Sequence, residues 1–183
     1  MFKDEVLENE RRRKIYEFIE ASPGIHLREL QRTLGIPLTS LEYHLSYMTR
    51  KKIVFSEAEG HVKRYYTKPF SPEDKRVLAA LRQKRMREIV LIVLANEKAK
   101  YQLLADSLKL SHSTLASYLK YLVDNNILAK EKIGYENIYT VQDEDRVAKV
   151  LIAYKPSFVD KLVDKALDAL METRFRKEEP KPA

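Results

Sequence analysis

From Pro37 to Arg50, hydroxyls, tyrosines and one carboxylate are interleaved with apolar residues: Pro37, Leu38, Thr39, Ser40, Leu41, Glu42, Tyr43, His44, Leu45, Ser46, Tyr47, Met48, Thr49, Arg50. Leu41, Leu45 and Met48 fall at i, i+4 and i+7. A helix buries such a set together and turns Thr39, Ser40, Glu42, Tyr43, Ser46, Tyr47 and Arg50 outward. Those outward groups donate and accept hydrogen bonds, and none is an activated nucleophile, so their chemistry is recognition. Downstream, His61, Lys63 and Arg64 sit in a strand-forming stretch that ends at Tyr65-Tyr66. A polar helix face beside strand cations suits the base edges and phosphates of a duplex.

The elements that must hold this face are legible around it. Leu27, Leu30 and Leu34 make a short amphipathic helix, and Gly35 follows where a helix C-terminus needs a positive φ. Thr39 or Ser40 is expected to cap the next helix, with Thr39 and Glu42 as a capping box. The cap competes with base contact for Glu42, which could otherwise accept from cytosine N4. Strands are expected over Ile53–Glu57 and His61–Thr67, with the turn at Glu59–Gly60. Helix, tight turn, polar-faced helix and basic hairpin form the pattern of a winged helix-turn-helix, whose second helix fits a major groove.

The pattern occurs twice. Leu41 and Leu115 lie 74 residues apart, and the same shift carries Ile15 to Ile89, Leu30 to Leu104, Leu34 to Leu108, Leu45 to Leu119, Ile53 to Ile127, Gly60 to Gly134 and Tyr65 to Tyr139. No gap is needed, as in a tandem duplication. The second copy has helices expected over Tyr101–Leu108 and Ser113–Asn125, with Ser111, His112, Ser113, Thr114, Ser117, Lys120 and Tyr121 at or near the outward face. Its hairpin offers Lys130 and Lys132, and Asn137-Ile138 stand in place of Lys63-Arg64. Glu42 becomes Ala116, so the copies are not expected to recognise the same sequence.

Composition bounds the rest. Lys and Arg total 34 against 27 acids, a formal charge of +7 that favours a polyanionic partner through local segregation of charge. Without cysteine there is no thiolate metal site, disulfide or cysteine nucleophile. No phosphate loop, nucleophile elbow or His-Glu-x-x-His motif is present, and neither enzyme activity nor a cofactor is expected. No apolar run reaches membrane length and the first ten residues are too acidic for a signal peptide, so the expectation is a cytoplasmic protein.

Along the chain, Phe2–Ala21 reads as one helix carrying Arg11-Arg12-Arg13-Lys14, either a solvated face or a phosphate contact. His26 reads as a backbone-satisfying or capping side chain, with a metal ligand as the weaker alternative. Ser71, Pro72, Glu73 and Asp74 make a helix start, and nothing breaks the pattern before Asn96. That predicts a helical connection holding the two copies in a fixed relation. Asp145 is placed to cap a helix over Arg146–Tyr154 that Pro156 ends, and Ser157 with Asp160 to cap another reaching Arg174. Its stripe of Val159, Leu162, Val163, Ala166 and Leu170 is expected to pair two copies of the chain, as palindromic DNA sites would favour; packing on the second copy of the pattern is the alternative. The expected class is therefore mainly α with small β-hairpins: winged units over 1–70 and 71–142 joined by a helix, a C-terminal helical segment over 143–176 and a frayed tail over 177–183.

LGIPLTSLEYHLSYMTRKKIV followed by EGHVKRYY resembles the winged-helix transcriptional regulators of the MarR- and ArsR-like class, and most nearly archaeal regulators with two such domains in tandem. The resemblance covers Arg11–Val141, and Tyr43-His44-Leu45 and the Gly60–Tyr65 spacing are its more specific parts. It implies that the start of each recognition helix reads bases (Pro37, Leu38, Thr39, Ser40, Glu42, Tyr43, Ser46 and Tyr47, then His112, Ser113, Thr114, Ser117 and Tyr121). It implies that the hairpins contact backbone through Lys63, Arg64, Lys130 and Lys132. Two functions compete: a regulator bound to double-stranded DNA, and a tandem winged-helix protein-interaction module of a transcription or chromosome-organising complex. A positive stripe through helix and wing favours the first, an apolar or acidic patch the second.

Overall fold

A computed structural model describes residues 2–158 and 161–178. The chain forms two compact units, Met1–Ala79 and Ala80–Ala183.

Unit 1 begins with α1 (Phe2–Leu7) and α2 (Glu10–Ala21). These are two helices, not the single one expected. The Asn9 side chain accepts from the Arg12 amide at 3.1 Å and caps α2, so the chain turns where the sequence carries no Gly or Pro. Then follow β1 (Ile25–His26), α3 (Leu27–Leu34), α4 (Leu38–Arg50), β2 (Phe55–Glu59) and β3 (Val62–Tyr66). The sheet has order β1-β3-β2, entirely antiparallel, with Ile25 opposite Tyr65 and Ser56 opposite the same tyrosine on the other side. Ile15, Ile19, Ile25, Leu30, Leu41, Leu45, Met48, Val54 and Tyr65 form the core.

Unit 2 repeats the order. α6 (Lys84–Ala95), β4 (Ala99–Lys100), α7 (Tyr101–Leu108), α8 (His112–Asp124), β5 (Leu128–Ile133) and β6 (Glu136–Val141) build a β4-β6-β5 sheet. Ala99 faces Tyr139 and Lys130 faces Tyr139, the unit 1 register displaced by 74 residues. The buried set follows the same displacement: Ile89, Val93, Ala99, Leu104, Leu115, Leu119, Leu122, Leu128 and Tyr139. Burying a Leu or Ile side chain fully is worth roughly 1.5–3 kcal/mol, so nine equivalent positions fix one scaffold twice. Both α3 and α7 end in a left-handed residue, Gly35 (φ 63) and Lys109 (φ 49). Both hairpins turn through two residues with glycine first, at Gly60 and Gly134.

The segment linking the winged elements is not one helix. α5 (Pro72–Arg82) starts as expected, with Ser71 Oγ accepting from the Asp74 amide at 3.1 Å. It stops at Gln83, whose ψ of 113° is extended. Arg87, buried, donates Nη1 to the Leu81 carbonyl at 2.7 Å and satisfies a group freed by the break.

Two helices complete unit 2: α9 (Glu144–Phe158) and α10 (Lys161–Glu178). Asp143, and not Asp145, caps α9, its carboxylate accepting from the Arg146 amide at 2.9 Å. As expected, the helical backbone is interrupted at Tyr154 (φ −122°, ψ 18°), just before Pro156, and a short further turn carries α9 to Phe158. Val159 and Asp160, half of the expected second capping box, lie outside the described residues, as do 179–183 of the tail.

α10 packs along α6 within the same chain and buries Val163, Ala166 and Leu170. Of the stripe expected to pair two copies, Val163, Ala166 and Leu170 are therefore covered within the chain, while Leu162 stays 38% exposed. α6 explains why. Its run Met86–Leu94 is buried almost all round, and such a helix needs cover on both sides. Among the described residues no helix is long and apolar enough to cross a membrane.

Candidate nucleic-acid interface

In unit 1 the polar face belongs to α4. With 3.6 residues per turn, Thr39, Tyr43, Ser46 and Arg50 lie opposite buried Leu41, Leu45 and Met48. Tyr43 is 61% exposed. Helix α4 starts at Leu38 with Pro37 in the cap position and no side-chain cap bond. Thr39 sits inside the first turn, and the expected Thr39–Glu42 capping box does not form. Pro37 (φ −53°) takes the cap position and has no side-chain oxygen to accept from the first-turn amides. Glu42 is exposed on the flank toward the hairpin; Tyr47 lies on the flank toward α2, half-buried. The Arg12 guanidinium stands 4.7 Å from the Tyr47 ring centre and donates Nε to the Val6 carbonyl at 2.6 Å. Within the Arg11–Lys14 run, then, Arg12 is structural, and Lys14 pairs with Glu10 at 2.6 Å.

Arg64 corrects a sequence expectation. It was placed on the exposed wing, yet it is 5% exposed and donates Nη1 to the Gly24 carbonyl at 2.9 Å. Alternation along β3 puts Arg64 on the face of Tyr66, opposite Lys63 and Tyr65, and there the carbonyl of Gly24 (φ 76) accepts from it; Lys63 shares the Tyr65 face but lies at the exposed end of the strand. Lys63 remains exposed, 5.8 Å from the Tyr65 ring.

The histidines of unit 1 also have internal roles. His26 caps α3, its Nδ1 accepting from the Glu29 amide at 3.2 Å. Burial holds its pKa below the ordinary value, Glu29 opposing and Arg64 and Arg32 adding to the shift. His44 is buried on α4 with Nδ1 unpaired, and burial, with Arg12 and Arg11 nearby, lowers its pKa too.

Unit 2 presents Ser113, Ser117, Lys120 and Asp124 at the corresponding outward positions of α8. Ser111 caps the helix, its Oγ accepting from the Thr114 amide at 3.3 Å and lying 2.7 Å from the Thr114 hydroxyl. Ser117 donates to the Ser113 carbonyl at 2.9 Å. Lys120 pairs with Asp124 at 2.7 Å, which neutralises the middle of the face. Tyr121 is half-buried like Tyr47, while His112, Lys130 and Lys132 are exposed.

Each unit has a groove between its recognition helix and hairpin, about 400 Å³ in unit 1 and 650 Å³ in unit 2. The walls correspond position by position over a shared floor of Leu45 and Tyr65, or Leu119 and Tyr139. Leu27, Glu42, Ser46, Thr49, Arg50 and Lys63 become Tyr101, Ala116, Lys120, Val123, Asp124 and Asn137. The unit 1 groove carries Glu42, Arg50 and Lys63, none in an ion pair among the described residues. The unit 2 groove is larger and internally paired through Lys120–Asp124 and Lys100–Glu136, the latter at 2.7 Å. Tyr101 and Lys100 escaped the sequence reading, although the 74-residue displacement already set Tyr101 against Leu27.

Residues 9–78 match the family model HTH_HVO_0163_N, described as an N-terminal HTH domain. The matched stretch takes in the helix-turn-helix pair α3 and α4 of unit 1. Over 140 residues the chain is 28% identical to a protein named as an uncharacterized HTH-type transcriptional regulator of Methanocaldococcus jannaschii. The match takes in 76% of this chain but only 35% of that relative's length. Among solved structures, HlyU from Vibrio cholerae aligns with a TM-score of 0.42 and 21% identity, over 47% of this chain and 92% of that one. An ArsR family transcriptional regulator aligns with a TM-score of 0.37 and 12% identity, over 61% of this chain and 98% of that one. The family match ends inside α5, so it covers the unit whose recognition face is charged and leaves the second copy outside it.

Proposed function

We propose that the chain regulates transcription by binding double-stranded DNA, with unit 1 as its reading head. In this reading α4 enters the major groove with Thr39, Tyr43 and Ser46 toward base edges, and Arg50 and Lys63 engage phosphates. The observation that carries it is the unit 1 face itself: hydroxyls and Tyr43 outward on α4, flanked by two cations that make no ion pair among the described residues. Such cations are free to replace counterions on DNA. Similarity to a protein named as an HTH-type transcriptional regulator supports the same reading.

A second reading attaches to unit 2. Its α8 face is neutralised by an ion pair, and its hairpin tip exposes Ile133 at 50% and Tyr135 fully. An apolar tip beside a neutral helix suits a protein surface better than a phosphate backbone. Unit 2 then contacts another component while unit 1 holds DNA.

The test is a titration of duplex affinity against salt for the full chain. Three phosphates engaged by unit 1 give a log–log slope of about −3. A flat plot between low and moderate salt contradicts the DNA reading and leaves the protein-interaction module.

A further inference from the structure

The sequence offers Glu42 a structural task, the capping box with Thr39, and the structure withdraws it. Helix α4 starts two residues earlier, at Leu38 with Pro37 in the cap position, and its cap makes no side-chain bond. Among the described residues Glu42 has no hydrogen-bond or ion-pair partner, although Arg50 and Lys63 line the same groove. Its carboxylate is exposed in the N-terminal half of α4, on the flank facing the hairpin. On a surface that meets a polyanion, an unneutralised carboxylate raises the free energy of docking unless it accepts hydrogen bonds there. Among base edges in the major groove, cytosine N4 and adenine N6 are the donors. A purely accepting carboxylate matches cytosine best, because adenine sets its N7 acceptor beside N6. Unit 2 has Ala116 at the equivalent place and lacks any such group.

From these observations we infer that Glu42 is a specificity-determining residue, accepting from cytosine N4 and fixing one C·G pair in the site that α4 contacts. The inference rests on the DNA reading of unit 1. Phosphate repulsion adds to its selectivity, since a duplex without cytosine there leaves the carboxylate desolvated and unpaired. Glu42 thus acts more by rejecting wrong sequences than by tightening the right one.

The test is selection from a random duplex pool with the full chain, its Glu42→Gln variant and its Glu42→Ala variant. The wild-type chain is expected to enrich a site with cytosine at one position. Glu42→Gln should move that position toward adenine, because an amide pairs with N6 and N7 together. Glu42→Ala should erase the preference there, keep it elsewhere, and narrow discrimination at that pair by on the order of tenfold. If both variants keep the wild-type preference at every position, the assignment of Glu42 is overturned while the DNA reading stands. If the wild-type chain enriches no sequence, both fall together.

Discussion

Helices α2 and α6 hold the same place in two copies of one scaffold, yet their outer faces differ. Glu17 and Glu20 of α2 are exposed, and Glu20 accepts from the Tyr16 hydroxyl at 3.0 Å. At the corresponding places α6 has Leu91 and Leu94, each 2% exposed. The inner faces match because both cover the same winged core. The outer faces diverge because α10 lies along α6. A duplicated fold keeps the residues that make the scaffold and changes those that meet what is outside it. The recognition faces obey the same rule: Arg50 and Lys63 in unit 1, without an ion pair among the described residues, and self-paired Lys120 and Asp124 in unit 2.

Exchanging the outer faces gives the largest expected effect. Leu91→Glu places an unpaired carboxylate in a buried site and should cost unit 2 more than about 4 kcal/mol in urea unfolding. The reciprocal Glu17→Leu, at an exposed site, should stay within roughly 0.5 kcal/mol. Equal losses would break the comparison.

Arg64 comes next. Its counterpart is Ile138, which needs no partner, whereas Arg64 satisfies the buried Gly24 carbonyl. Arg64→Leu should destabilise unit 1 by about 1–3 kcal/mol and leave the salt slope of DNA affinity unchanged. A changed slope at unchanged stability would return Arg64 to the DNA surface.

Arg50→Ala and Lys63→Ala should each lower the salt slope by about 1, and Lys120→Ala should not, because Asp124 already neutralises it. Smaller still is the helix end. Gly35 and Lys109 share a left-handed backbone that favours glycine. Lys109→Gly should stabilise unit 2 by roughly 1 kcal/mol in a thermal or urea melt.

Acid should then separate the units. His26 and His44 have pKa values held below the ordinary histidine value, chiefly by burial. Their neutral forms stabilise unit 1 fully above about pH 6.5, and that contribution is lost as pH falls toward the folded values. The counterparts, Lys100 and Tyr118, are not histidines. Hydrogen exchange at pH 7 and pH 5 should show unit 1 weakening relative to unit 2.

Local patterning made the scaffold legible. The period of Leu41, Leu45 and Met48, the 74-residue register and the two hairpin glycines place the helix pairs and sheets within a residue or two. What escaped was of two kinds, helix breaks made by ordinary polar residues and side chains whose partners are distant in sequence. Asn9 stops a helix with an ordinary polar residue. Gln83 breaks another where Arg87 reaches back to Leu81. The inward turn of Arg64 requires knowing that Gly24 lies across the sheet. The stripe on α10 is visible in the sequence, and of its two expected partners the structure puts α6 of the same chain against Val163, Ala166 and Leu170.

The central claim is that unit 1, through α4 and its hairpin, is the surface that meets DNA. Hydrogen exchange of the full chain with and without duplex measures it most directly. The account expects protection concentrated in residues 37–50 and 55–66, with much less in 112–124 and 128–141. Protection confined to the second pair of segments, with the first unchanged, would contradict it.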